Sequence, residues 1–307
     1  MANETTSTEV TEIIRRESYA AGVLYFAERP GVAALVARQD IGATEPTLTK
    51  RFPIYDKVSA AAIAENTDFT TNSAIDTTGS VDVTVSEHAI KFTITRLALN
   101  ATVEQMASPS PGVVQTATQQ GAIVGAAASE ALQRRMEADL TALFSGFNSS
   151  TGSNSGAITT TLFLDARYTL DVNNVPDTPR YAVLSPFQWK TLLPAWDDAA
   201  VMGPVGQTIV NTGMVGTVYG VGVMQTANVA TATVSSSTVW AGAMFHPTAI
   251  ALSVKGDMPT FETESDASLR AVEIVGTGVW GEAEYRGGAT TSGRGGAGVY
   301  LYSNSTV

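Results

Sequence analysis

The chain has 307 residues, enough for two domains or one elaborate one at roughly 100–200 residues per domain, and 44% of them are hydrophobic, which excludes wholesale disorder. Charged residues make up only 15%, against about 25% in ordinary soluble domains, so much of the surface is expected to be covered by neighbours; the net charge of −11 disfavours general nucleic-acid binding, which needs Lys and Arg to replace phosphate counterions. There is no cysteine, which excludes disulfides, thiolate catalysis and Cys-ligated zinc.

The opening MANETTSTEVTE is polar and acidic, with no basic segment leading into an apolar run, so no secretory signal is read there. No stretch approaches the 18 or so apolar residues of a membrane span, and synthesis in a cytoplasm without export is the simple expectation. Residues 1–8 read as a mobile tail. From Glu9 to Glu28 the residues Val10, Ile13, Ile14, Ala21 and Leu24 recur at helical spacing, and Pro30 and Gly31 stop that helix. Residues 48–58 read as a strand with Phe52 and Ile54 on one face; Pro53 lacks an N–H and places it at a sheet edge.

A polar stretch from Glu65 to Ser80 follows. Val81, Val83 and Val85 then alternate with polar residues, and Ile90, Phe92 and Ile94 resume the alternation on the opposite parity. A one-residue slip implies a bulge or bend, expected near His88 and Ala89. The span 48–98 therefore reads as a long two-stranded excursion, which is marginal in water unless it lies on something.

Ser110 and Pro111 suit a helix cap and first helical position. From Val113 to Phe144 the stripe Ala117, Gly121, Val124, Ala128, Leu132, Met136, Leu140, Leu143 keeps helical period, and Gly146 follows as a stop. About 32 residues at 1.5 Å each give roughly 48 Å, well beyond the usual length of globular helices. Residues 148–160 read as a polar loop, Leu162 to Val172 as a short helix and RYAVL (180–184) as a buried strand. SPFQWKTLLPAW (185–196) restarts a helix, with Ser185 as cap and Pro186 at its first position. Residues 197–217 are Gly-rich and irregular. VYGVGVMQT, STVWAGAMF, ALSVK, LRAVEIVGTGVW and GVYLY complete a β-rich C-terminal third, for an α+β fold class.

Candidate chemistry is sparse. Gly276, Gly278 and Gly281 match G-x-G-x-x-G after a strand, but too little chain remains to complete the βαβ unit a dinucleotide site needs. The glycines between Gly287 and Gly298 lack the G-K-[ST] ending of a phosphate loop. Glu262, Glu264 and Asp266 could approach a hard cation, yet the glycine and closing Glu of a Ca²⁺ loop are missing, and a solvated face is the plainer reading. His88 and His246 lie far apart, and no nucleophile motif such as G-x-S-x-G accompanies either. No catalytic, cofactor or metal site is expected. Lys50, Arg51, Lys57 and Lys91 fall on the excursion, where solubility or an acidic neighbour would explain them.

The order of parts is similar to that of tailed-phage major capsid proteins of the Hong Kong 97 type. VPDTPRYAVLSPFQWKTLL (175–193) resembles that family's entry into its axial domain, and GTVYGVGVMQTANV (216–229) its G-x-x-YG strand. The run from AGAMFHPTAIALSVKG to WGEAEYRGG (241–288) is similar to its late segment, where a Phe-His-Pro-x-Ala run leads through an acidic stretch into a strand crossing the spine helix.

The resemblance implies an N-terminal arm (1–47), an extended β-hairpin loop (48–98), and a peripheral domain (99–175) holding a spine helix (110–145). It further implies an axial domain (176–250), return strands of the peripheral domain (251–288) and a C-terminal segment in the axial domain (289–307). It implies self-assembly into pentamers and hexamers of an icosahedral head enclosing double-stranded DNA, built in a bacterial cytoplasm. Expected partners are further copies of the chain, a separate scaffolding protein, a portal and a decoration protein, with no membrane. Candidate intersubunit contacts are Arg51, Phe52, Tyr55, Phe69, Lys91 and Phe92. No matching Lys–Asn pair is found, so no covalent crosslink is expected. The alternatives are an encapsulin-type nanocompartment shell and, further off, a secreted β-rich surface protein or a hydrolase using His246.

Overall fold

A computed structural model describes residues 31–55, 60, 62–63, 65, 68, 79–95, 117–196, 217–266, 268–286 and 296–304. The helix expected over 9–28 lies outside these residues, as do Phe69, Lys57 and nearly all of the Gly-rich stretches 197–217 and 287–295.

Three helices are described: α1 (Ala117–Ala142), α2 (Thr160–Val172) and α3 (Pro186–Trp196). The strands run β1 (Ala37–Arg38), β2 (Thr49–Ile54), β3 (Gly79–Thr84), β4 (Ser86–Thr95), β5 (Ser149–Ser153), β6 (Tyr181–Leu184) and β7 (Thr217–Val218). They continue with β8 (Val221–Gln225), β9 (Thr231–Val234), β10 (Ser237–Phe245), β11 (Ile250–Val254), β12 (Thr260–Asp266), β13 (Ala271–Glu284) and β14 (Gly298–Asn304).

Helix α1 is the expected long helix, about 39 Å over its described 26 residues. Ala128, Leu132, Met136 and Leu140 recur every fourth residue and are buried, so one face of the helix meets the core. A 3₁₀ turn (Leu143–Gly146) ends it, and Phe144 packs there on Phe245 of β10.

Strand β13 organises the first sheet. Its residues 271–280 pair with β4, while 271–277 pair with β12 and 280–284 with β11. Since a strand edge holds one partner, β4 lies on one side of β13 and β12 and β11 on the other. Strand β1 adds in parallel to β11. The second sheet has the order β5-β14-β10-β6-β8-β7, with β9 paired to the first half of β10. Helix α2 links β5 to β6, and α3 starts directly after β6. A single apolar core runs from Leu132 and Phe144 of α1 through Ala182, Val183 and Phe245 to Ile250, Leu252 and Trp280, so the two sheets share one interior.

Helix α3 starts as the sequence dictates. Ser185 Oγ accepts from the Gln188 N–H at 3.2 Å, and Gln188 Oε1 accepts from the Ser185 N–H at 3.1 Å, a reciprocal capping box. Gln188 Nε2 donates to the carbonyls of Leu301 and Trp240, tying the helix to β14 and β10.

Four expectations are corrected. First, the change of parity falls at Val85 and not at His88 and Ala89. Strand β3 pairs with β2, but β4 leaves to pair with β13. The 48–98 excursion is thus a hairpin of β2 and β3 only. Its second half packs the partly buried Ile90, Phe92 and Ile94 on the cluster of Ala128, Phe261 and Ile274. Second, the described end of the arm, 31–47, belongs to the body: Val32 is buried against α1, and β1 is paired. Third, the polar loop 148–160 contains β5, which pairs in parallel with β14. It carries no hydrophobic alternation because it holds the sheet edge by backbone bonds alone. Fourth, β12 and β9 were not anticipated; β12 hides in the acidic stretch TFETESD, because only one of its faces is buried.

Candidate assembly site

The hairpin of β2 and β3 is the one two-stranded sheet among the described residues, with Thr49↔Thr84 through Ile54↔Gly79 in register. Its base is anchored. Phe52 is 2% exposed and packs with Val83 and Ala251, with the Tyr285 ring 5.5 Å away. Tyr285 also donates its hydroxyl to the Pro53 carbonyl at 2.7 Å. Where β3 passes into β4 it lies on Gly281 of β13, and a Cβ there would overlap the Thr84 carbonyl oxygen. The outer surface is different. Arg51 donates Nε and Nη2 to the two Asp82 carboxylate oxygens at 2.7 and 2.8 Å, and this pair is exposed. The pairing raises the Arg51 pKa and holds the Asp82 carboxyl below its ordinary value, the hydrogen bond contributing most in each case. Leu48, Tyr55 and Ile63 are all at least half exposed.

The structure separates the expected contact residues. Arg51 and Tyr55 sit on the exposed hairpin. Phe52 is consumed inside its own chain, so as a contact presented to another copy it is corrected. Lys91 and Phe92 lie on β4 in the body, not on the hairpin. Lys91 Nζ is 2.6 Å from Glu273 across the β4–β13 ladder, and Phe92 packs with Ala128, Phe261 and Ile274. Phe69 lies outside the described residues. Sequence does not mark Tyr285 and Gly281 as anchors: Gly281 reads only as part of a dinucleotide-binding G-x-G-x-x-G pattern, and nothing signals the reach of Tyr285 to Pro53.

That G-x-G-x-x-G pattern is central strand, and β13 continues past it to Glu284. A Cβ at Gly276 would come within 2.9 Å of Phe261 and 3.3 Å of Ala128, and one at Gly278 within 2.9 Å of Met258 and Trp280. These glycines let β13 lie close under its neighbours. His88 stacks on Trp280 with ring centroids 4.0 Å apart and accepts or donates a bond with Ser86. His246 caps a short 3₁₀ turn through Thr248, and burial, then Arg286 and Arg180, lower its pKa. Glu262 and Glu264 stand exposed on β12, and no group of three metal-ligating side chains forms among the described residues. No helix among them is long and apolar enough to cross a membrane.

No protein-family model and no curated protein matches the chain. Solved structures do. The capsid of Ralstonia phage GP4 matches with TM-score 0.65 and 9% identity, over 89% of this chain and 88% of that one. The capsid of cyanophage P-SCSP1u matches with TM-score 0.63 and 16% identity, over 88% and 86%. A virus-like particle from Pyrococcus furiosus matches with TM-score 0.56 and 12% identity, over 93% and 98%. The α+β fold resembles the Hong Kong 97-type capsid fold.

Proposed function

We propose that the chain is a major capsid protein, a structural subunit that self-assembles as pentamers and hexamers into an icosahedral phage head around double-stranded DNA. One observation carries this reading: capsid structures match the chain over about nine-tenths of its length. In this reading the β13 sheet with α1 is the peripheral domain, the β10 sheet with α2 and α3 the axial domain, and β14 returns the C-terminal segment to the latter. Arg51 and Tyr55 on the hairpin would touch a neighbouring copy, with Lys91 at the rim. The net charge of −11 suits a container whose DNA is enclosed without being gripped. The subunit acts without catalysis or cofactor. A scaffolding protein, a portal and a decoration protein are its expected partners, and the host cytoplasm its place of assembly.

A second reading, a nanocompartment shell around a protein cargo, is favoured by the match to the Pyrococcus furiosus virus-like particle. Negative-stain imaging of the chain expressed with and without its genomic neighbours tests both. Closed particles are expected, and a chain that stays monomeric under both conditions overturns them together. Double-stranded DNA in particles from the native host supports the phage head; a protein cargo supports the nanocompartment.

A further inference from the structure

Glu137 of α1 is 7% exposed and has no cation partner among the described residues. Burying a carboxylate is costly unless donors satisfy it. Its Oε2 accepts from Asn228 Nδ2 and, at 3.4 Å, from Thr226 Oγ1, both in the turn between β8 and β9. One helical turn later Thr141 Oγ1 donates to the Asn228 carbonyl at 2.9 Å. Asn228 is therefore gripped at both ends by one face of α1, at i and i+4. The other carboxylate oxygen, Oε1, occupies the space a Cβ on Gly31 would fill. Gly31 is buried, and Val32 beside it is fully buried. Three parts of the chain thus meet on one side chain: the N-terminal segment, the long helix and a loop of the seven-stranded sheet.

We propose that Glu137 is a latch coupling the N-terminal segment to the β8–β9 turn, so that loosening either contact loosens the other. In the rotamer that satisfies Asn228, the second carboxylate oxygen lies against Gly31. If the turn withdraws, the carboxylate loses its donors, is driven toward solvent and vacates the surface on which residues 31–35 rest. If the N-terminal segment shifts inward, it displaces the carboxylate from Asn228. Coupling of this kind is reciprocal by thermodynamic necessity.

The test is amide hydrogen exchange, read by mass spectrometry on the full chain, and it needs no particle to form. The amides of Ala34 and Leu35, bonded to Gly31 and Val32, report on the segment, and that of Asn228 reports on the turn. Asn228→Ala, which removes a hydrogen bond to Glu137 and none of those described within residues 31–35, is expected to speed their exchange by on the order of tenfold, the effect of leaving one buried polar group unsatisfied. Gly31→Ala is expected to speed exchange at Asn228 similarly. Changes confined to the substituted segment in both variants would overturn the latch. Should either fail to fold, Thr141→Val removes the hydroxyl that bonds the Asn228 carbonyl and, within the helix, the Ala138 carbonyl; unchanged exchange at Ala34 and Leu35 in that variant overturns the proposal equally.

Discussion

At single positions the fold depends on where side chains are absent or uncharged. Gly281 lies beneath the Thr84 carbonyl, so a methyl there must push the hairpin base off β13. Gly281→Ala is expected to cost about 2–3 kcal/mol in a denaturant titration, in the range of overpacked sites. Gly79, where a Cβ would meet nothing within 4 Å, is the control: Gly79→Ala should be neutral or stabilise by up to about 1 kcal/mol. Equal losses at both positions would mean that crowding at Thr84 is not the cause. Glu282 supplies a charge argument. Burial, then Asp139, raise its carboxyl pKa, with Arg135 opposing. A raised folded value means that the folded state binds the proton more tightly than the unfolded chain does. This site's contribution to stability is therefore complete below the ordinary carboxylate value and declines as pH climbs through the raised one. Glu282→Gln, which mimics the protonated form, should raise the melting temperature at about pH 7 and change it little at about pH 4. A lower melting temperature at neutral pH would show that attraction to Arg135 dominates.

Among the elements, α3 tests how far local sequence specifies structure. Ser185→Ala removes one half of its capping box and is expected to cost about 1 kcal/mol. Gln188→Ala removes the other half and also leaves the carbonyls of Trp240 and Leu301 without their shared donor, so about 2–4 kcal/mol is expected. Thermal unfolding of the two variants side by side checks the order, which would reverse if only the helix start mattered. Such elements were legible because their signals are local. Ser-Pro before an apolar run marks the start of α3, and the four-residue stripe of α1 determines its buried face, without reference to the rest of the chain. What was not legible depends on distant partners. Ser149 to Ser153 become a strand because β14 offers an open edge, and nothing in SSTGS announces it. The parity change was visible, yet its place at Val85 is set by where β13 takes over from β2 as partner. For the same reason Phe52 read as an exposed contact: Ala251 and Tyr285, which bury it, lie some 200 residues further along.

For the whole molecule, the decisive matter is what the hairpin does beyond its own subunit. The base is held by Phe52, Tyr285 and the crossing over Gly281, and these contacts are complete within one chain. Leu48, Tyr55 and Ile63, by contrast, leave half or more of their surface exposed. The outer face of the two strands is polar, with Thr49, Arg51, Ser80, Asp82 and Thr84 exposed, and an isolated hairpin of this kind is marginal in water unless it lies on something. Removal of the distal segment should therefore separate folding from assembly. Ile54 and Gly79 face each other in the ladder, so replacing residues 55–78 with a two-residue Asn-Gly turn closes the hairpin without disturbing its base. The shortened chain is expected to keep the circular dichroism spectrum and the melting temperature of the parent subunit to within a few degrees, yet to form no closed particle by light scattering or negative stain. Loss of the folded spectrum would mean that the distal segment is part of the subunit's own core. Particles of normal size and stability would mean that copies meet through other surfaces, and the hairpin would lose its proposed role.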